Sequence, residues 1–317
     1  MRALAVVGVA VLALLCMAAQ YPRFENVAAT ENVSVCGATI QVNFVAGDLD
    51  LPHADVLTWV RNAGESVAKY YGRFPVKSET VYVVPRADRD GVLNGTTWGG
   101  HTVRTRMGLG QHTSVAELND DWTMTHEFVH TAFPDLDESH HWIEEGLATY
   151  VEPIARVQNG LLPQDKVWAD MLHDMAKGEP EAGDQGLDHT HTWGRTYWGG
   201  AMFFLAADVG IREQTKNRMG LQDALRAIMA AGAIDTDSTP EKAFAVGDHA
   251  VGVPVLEVLY AAMKDAPAPV DLDALWRKLG VRAKAGGGVA YDDKAPDAAI
   301  RKAIMAARPG CKAGEIY

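Results

Sequence analysis

Cysteine is scarce in this chain, with three in 317 residues, too few for a disulfide-dense scaffold or a structural zinc ribbon. Basic residues are outnumbered, 29 Lys and Arg standing against 41 Asp and Glu for a formal net charge of −12. So acidic a chain has no broad basic face for a phosphate backbone, which argues against a nucleic-acid partner. No internal repeat and no low-complexity tract is found. What is present, 48% hydrophobic and 22% charged residues, is the composition of a folded, soluble protein rather than a disordered one.

The start of the chain stands apart. Arg2 is followed by an apolar run over residues 3–15 and by small residues at Ala18 and Ala19, the pattern of a secretory signal peptide over 1–19. The alternatives are an uncleaved membrane anchor or a buried helix, but the run is at the short edge of what spans a bilayer, which favours the export signal. Cys16 would be a lipid site, but Leu15 before it is larger than such signals carry. The expected location is exported, periplasmic or extracellular. Removal of 1–19 leaves Cys36 and Cys311, either one disulfide or two buried free thiols. Closing so long a loop is worth about 4–5 kcal/mol in the chain-entropy model. Asn32 and Asn94 stand in N-x-S/T patterns, which matter only in a glycosylating host.

Along the mature chain, Val33, Val35, Ile40, Val42 and Phe44 alternate with polar residues as in a strand or hairpin. Val56, Val60, Val67 and Tyr71 line one stripe of a helix over 52–71, and residues 79–84 read as a buried strand. A polar loop with Gly91, Gly95, Gly99 and Gly100 comes next, then an exposed strand over 101–107. From 115 onward nearly every segment is helical: 115–133, 139–157, 164–177, 194–209, 219–231, 254–264, 271–279 and 296–306. The expected class is α+β, with an α/β lobe over 20–160 and a helical lobe over 161–317.

The chemistry is carried by His126, Glu127 and His130, an H-E-x-x-H pattern within a helix. Positions i and i+4 share one face, so both imidazoles reach one metal. Glu127 flanks that face, where it can take a proton from a water polarised by zinc. Leu118, Trp122, Thr125, Val129 and Phe133 form the stripe that packs the helix into the core. Fourteen residues separate His130 from Glu145 on the next helix, enough for a turn and a return that brings a third ligand to the same metal. Glu144 is the reserve ligand, and Glu152, seven residues past Glu145, suits orientation of a histidine ligand. The expectation is one zinc per chain held by His126, His130 and Glu145.

H-E-x-x-H followed by Trp142, Glu145, Gly146, Ala148 and Tyr150 resembles the gluzincin metallopeptidases. It is nearest to the branch of the membrane-alanyl-type aminopeptidases and peptidase-MA-like domains. The metzincin pattern does not fit, since its Gly and third His would fall at Phe133 and Leu136. The resemblance implies a zincin-like fold and Glu145 as third zinc ligand. Tyr197 and Gly200 match the helix that opens Y-x-K-G in that branch, with Gly199 at the Lys position. The match implies that the Tyr197 hydroxyl stabilises an oxyanion; the plainer reading makes Tyr197, Trp198, Phe203 and Phe204 core aromatics. The resemblance covers about 123–210.

The aminopeptidase branch also carries a G-x-M-E-N segment ahead of its zinc helix, and this chain has none. The strand read in that place is 101–107, with Arg104 and Arg106 on one face. It would pair an extended substrate, bind a substrate carboxylate, or simply hold two solvated arginines at a sheet edge. His189 and His191 fall in a polar loop, and His140 and His141 are expected at the surface near the metal. The functional expectation is an exported zinc-dependent peptidase acting on a peptide or protein substrate, with Glu127 as general base. The alternatives are an inactive zincin-like binding protein, or a closed structural zinc site completed by Asp135, Asp137 or His141.

Overall fold

The computed structural model describes residues 26–100, 102–307 and 311; the export signal expected over 1–19 lies outside them. The expected hairpin is β1 (Val27–Val35) and β2 (Ala38–Val45), antiparallel about a turn in which Cys36 and Gly37 both have positive φ. Helix α1 (His53–Tyr71) ends at Gly72, whose φ of 86° is left-handed, the conformation a glycine adopts at least cost. Strand β3 (Ser78–Arg86) then pairs parallel to β2.

Two more strands complete the sheet, and here the expectation needs correcting. Residues 92–98 do not form a loop but β4 (Val92–Trp98), antiparallel to β5 (Val103–Gly110). The order is β1-β2-β3-β5-β4, so β4 is the edge and β5, with Arg104 and Arg106, is an inner strand. The β-forming Thr96, Thr97 and Trp98 favour the strand, and its glycine allows a close approach described below.

One sheet face carries the core: Val33, Ile40, Val42, Phe44, Val81, Val83, Val103 and Met107 are all buried. Full burial of such a side chain contributes about 1.5–3 kcal/mol. Helices cover this face, and the long helix expected over 115–133 is in fact two, α2 (Val115–Asp120) and α3 (Thr123–His130). Asp121 makes the break. Its backbone is extended, its carboxylate accepts the Thr123 and Met124 amides at 3.0 Å, and Trp59 Nε1 donates to it at 3.0 Å. Capping the second helix outweighs continuing the first.

A long helix, α4 (His141–Gln158), packs against α3. Beyond it come α5 (Gln164–Asp174), a π-helical turn (Gly194–Gly199), α6 (Gly200–Gln214) and α7 (Leu221–Ala231). Helix α8 (Pro240–Val251) was not expected, although Thr239 capping its first turn, Pro240 at its start and Gly252 at its end are legible signals. Helices α9 (Val255–Met263), α10 (Leu272–Leu279) and α11 (Ala298–Met305) follow, with a short hairpin, β6 (Val281–Ala283) and β7 (Val289–Tyr291), also unforeseen. The result is an α+β fold with a five-stranded mixed sheet and a helical C-terminal half. Cys36 and Cys311 are joined as a disulfide, Cα atoms 5.8 Å apart. Among the described residues no helix is long and apolar enough to cross a membrane.

Candidate metal centre and active site

Helix α3 presents His126 and His130 one turn apart, their rings 4.9 Å between centroids. Helix α4 brings Glu145 to the same point. Glu145 Oε2 lies 2.9 Å from His126 Nε2 and 3.9 Å from His130 Nε2, and one donor atom from each of the three residues falls within 4.8 Å of the others. Two imidazole nitrogens and one carboxylate oxygen so placed fit a zinc ion with a fourth position free. Asp135, Asp137 and His141 stand outside this cluster.

The electrostatics favour the protonation states that ligation needs. Burial, helped by His126, holds the His130 imidazole down to about 3, so it is neutral. Burial alone would raise Glu145, but hydrogen bonds from His126 and His141 outweigh it and hold this carboxyl well below the usual range.

Glu127 is buried at 6% exposure between α3 and β4. Thr97 Oγ1 donates to its Oε2 at 2.8 Å. A side-chain carbon on Gly95 would stand 2.6 Å from its Oε1, so glycine is what lets the strand lie against the carboxylate. Burial pushes Glu127 up to about 7, against the pull of His126 and Thr97, which poises a base near neutrality. Gly95 and Thr97 belong to the segment expected as a loop, and sequence reasoning missed both.

Tyr197 sits in the π-helical turn, stacked 6.4 Å from the His126 ring and 5.8 Å from Trp193. Burial first, then the charge of Glu145 and a hydrogen bond with it, push the phenol up to about 12. At neutral pH it is an intact O–H donor beside the cluster.

The other motif residues are architectural. Trp142 Nε1 donates to Asp188 at 2.7 Å, and Tyr150 donates to Asp208 at 3.0 Å. Gly146 and Gly200 meet where α4 and α6 touch. Glu144 faces His141 at 3.5 Å rather than the cluster. Glu152 pairs through Oε1 with Arg156 at 3.1 Å and also lies within reach of the charge of His126. His140 is held by Asp188 at 3.1 Å, and His141, expected at the surface, lies 3.3 Å from Glu145 Oε1. His189 pairs with Asp265 on an exposed loop, and His191 lines an opening beside Tyr197. A cavity of about 480 Å³ reaches His126 and is lined by Trp122, Met171, Met175, Tyr197 and Trp198.

No described protein family and no curated protein matches the sequence. Among solved structures, the fold is similar to that of an aminopeptidase N family protein from Idiomarina loihiensis. The identity is 14%, 81% of this chain and 50% of that chain are covered, and the TM-score is 0.59. It is also similar to a two-domain M1 zinc metallopeptidase mutant bound to L-arginine, at 14% identity, 76% and 54% coverage and a TM-score of 0.50. An M1 zinc metallopeptidase mutant from Deinococcus radiodurans gives 13% identity, 76% and 53% coverage and a TM-score of 0.50. The chain spans about half the length of these proteins. At such identity the likeness is one of fold: the structural neighbours of this chain are M1 zinc metallopeptidases.

Proposed function

We propose that this chain is an exported zinc-dependent peptidase. The observation that carries the reading is the convergence of His126, His130 and Glu145 on one point, with Glu127 buried beside it against Thr97. The neighbouring M1 folds support it, as does the apolar opening that reaches His126. Zinc at this cluster supplies a Lewis acid that polarises a peptide carbonyl and acidifies water. Glu127 takes the proton of the attacking water and delivers it to the leaving amine nitrogen. Tyr197 donates its O–H to the developing oxyanion. Export is supported by the apolar run over 3–15 and by the Cys36–Cys311 disulfide, a bond of oxidising compartments.

The test is elemental analysis together with a peptide screen. The reading expects one zinc per chain, lost in Glu145→Ala. Glu127→Gln keeps the metal and loses hydrolysis. A wild-type protein that binds zinc but cleaves nothing would favour the inactive, ligand-binding alternative. One that takes up no metal would overturn the reading.

A further inference from the structure

Glu79 is a buried carboxyl on the apolar sheet face, beside the buried hydroxyl of Thr105. It stands on β3, opposite Ile40 of β2 and Val103 of β5, and is 1% exposed. Its Oε1 is 2.5 Å from Thr105 Oγ1, while its Oε2 makes no hydrogen bond. A carboxyl buried with one oxygen unpartnered is costly as an anion, and burial pushes Glu79 up to about 8.

The bond from Glu79 does not end at Thr105. Thr105 and Thr97 are direct partners across β5 and β4, with hydroxyl oxygens 2.8 Å apart. Thr97 in turn touches Glu127 Oε2 at 2.8 Å. One continuous row of side chains thus crosses three strands and ends at the residue read as the general base. Burial sets its direction: Glu79 is the more deeply buried of the two carboxyls and has one oxygen unpartnered, so it is the one that keeps its proton. A hydroxyl carries one proton, so a protonated Glu79 donates to Thr105, Thr105 to Thr97, and Thr97 to Glu127. Every link is then satisfied in one sense, and the last donor faces Glu127, its carboxylate at 2.8 Å and its backbone carbonyl oxygen at 3.1 Å.

We propose that Glu79 is a positioning residue for Glu127, acting through Thr105 and Thr97 to keep a donor aimed at the base. The role rests on the peptidase reading, and neither Glu79 nor Thr105 touches substrate.

The experiment compares Thr97→Val, Thr105→Val, the double variant and Glu79→Gln in the zinc-loaded protein, with Thr105→Ser as the conservative control. Thr105 does not reach Glu127, so an effect of Thr105→Val on turnover marks transmission. The relay predicts that kcat falls about tenfold in either Val variant with KM unchanged. The double variant falls no further, because one broken link is enough. Thr105→Ser restores the rate, and Glu79→Gln, whose amide still donates, keeps most of it. Full kcat in Thr105→Val, or multiplying effects in the double variant, would overturn the proposal.

Should the zinc-loaded wild type cleave no peptide, the peptidase reading fails separately, and the row is judged by the carboxyl ¹³C signal of Glu79. Thr97→Val removes nothing that Glu79 touches. A relay moves the Glu79 titration midpoint in that variant; an unmoved midpoint refutes it.

Discussion

Gly146 and Gly200 meet backbone to backbone where α4 meets α6. A side-chain carbon on Gly146 would stand 2.3 Å from Gly200 Cα, and one on Gly200 would stand 2.4 Å from the Trp142 carbonyl. Glu145 precedes one glycine and Tyr197 lies one turn before the other, so this contact sets the distance between the third ligand and the phenol. Gly146→Ala forces the helices apart. It is expected to cost about 3 kcal/mol and to lower zinc occupancy, read by thermal unfolding and elemental analysis. A variant with wild-type stability and full zinc would show that the contact is not what places Glu145.

Tyr197→Phe removes the hydroxyl and keeps the ring stacked on His126. The expected loss is about 100-fold in kcat, with KM and zinc content little changed. Equal kcat in the two proteins would make Tyr197 a packing residue.

Stability is expected to depend on pH through Glu79. Its folded value, about 8, exceeds the ordinary carboxyl value of 4.5, so the folded state holds a proton that the unfolded chain gives up. This contribution is complete below about pH 4.5 and is lost as pH rises towards about 8, at roughly 1.4 kcal/mol per pH unit in between. Glu79→Gln removes this slope. Urea unfolding of both proteins at pH 5, 6 and 7 would check it, and parallel profiles would refute the buried, protonated state.

The cavity that reaches His126 has Trp122, Met171, Met175 and Trp198 among its apolar lining, with Asp120, Lys166, Asp170 and Asp174 also lining it. A large apolar side chain beside the scissile bond fills it, whereas glycine leaves it empty. Peptides with Leu, Phe or Met at that place are expected to show kcat/KM at least about tenfold above those with Gly. A peptide library read by mass spectrometry decides it, and indifference to the side chain would place the scissile bond elsewhere.

The metal cluster was legible because its parts are local. His126 and His130 share a helix face by spacing alone, and Glu145 lies one helical return away. The surroundings of Glu127 were not legible in the same way. Gly95 reads as a loop residue until the carboxylate packed on it is seen, and Thr97, Thr105 and Glu79 meet only after three strands have taken their order. The break at Asp121 was hidden for a similar reason, since Trp59, 62 residues away, helps to hold its carboxylate. Helix spacing places Glu152 on the ligand face but does not show that Arg156 binds its Oε1.

The disulfide between Cys36 and Cys311 spans 275 positions, and so encloses the whole metal cluster and all but the first strand of the sheet. A single cut in the backbone anywhere inside that ring yields two pieces that stay covalently joined and share one buried interior. Such a nicked molecule keeps its mass within one water until a reductant is added. For a protein read as an exported peptidase, this makes integrity a property of a closed ring, in which one scission opens the chain without releasing either half.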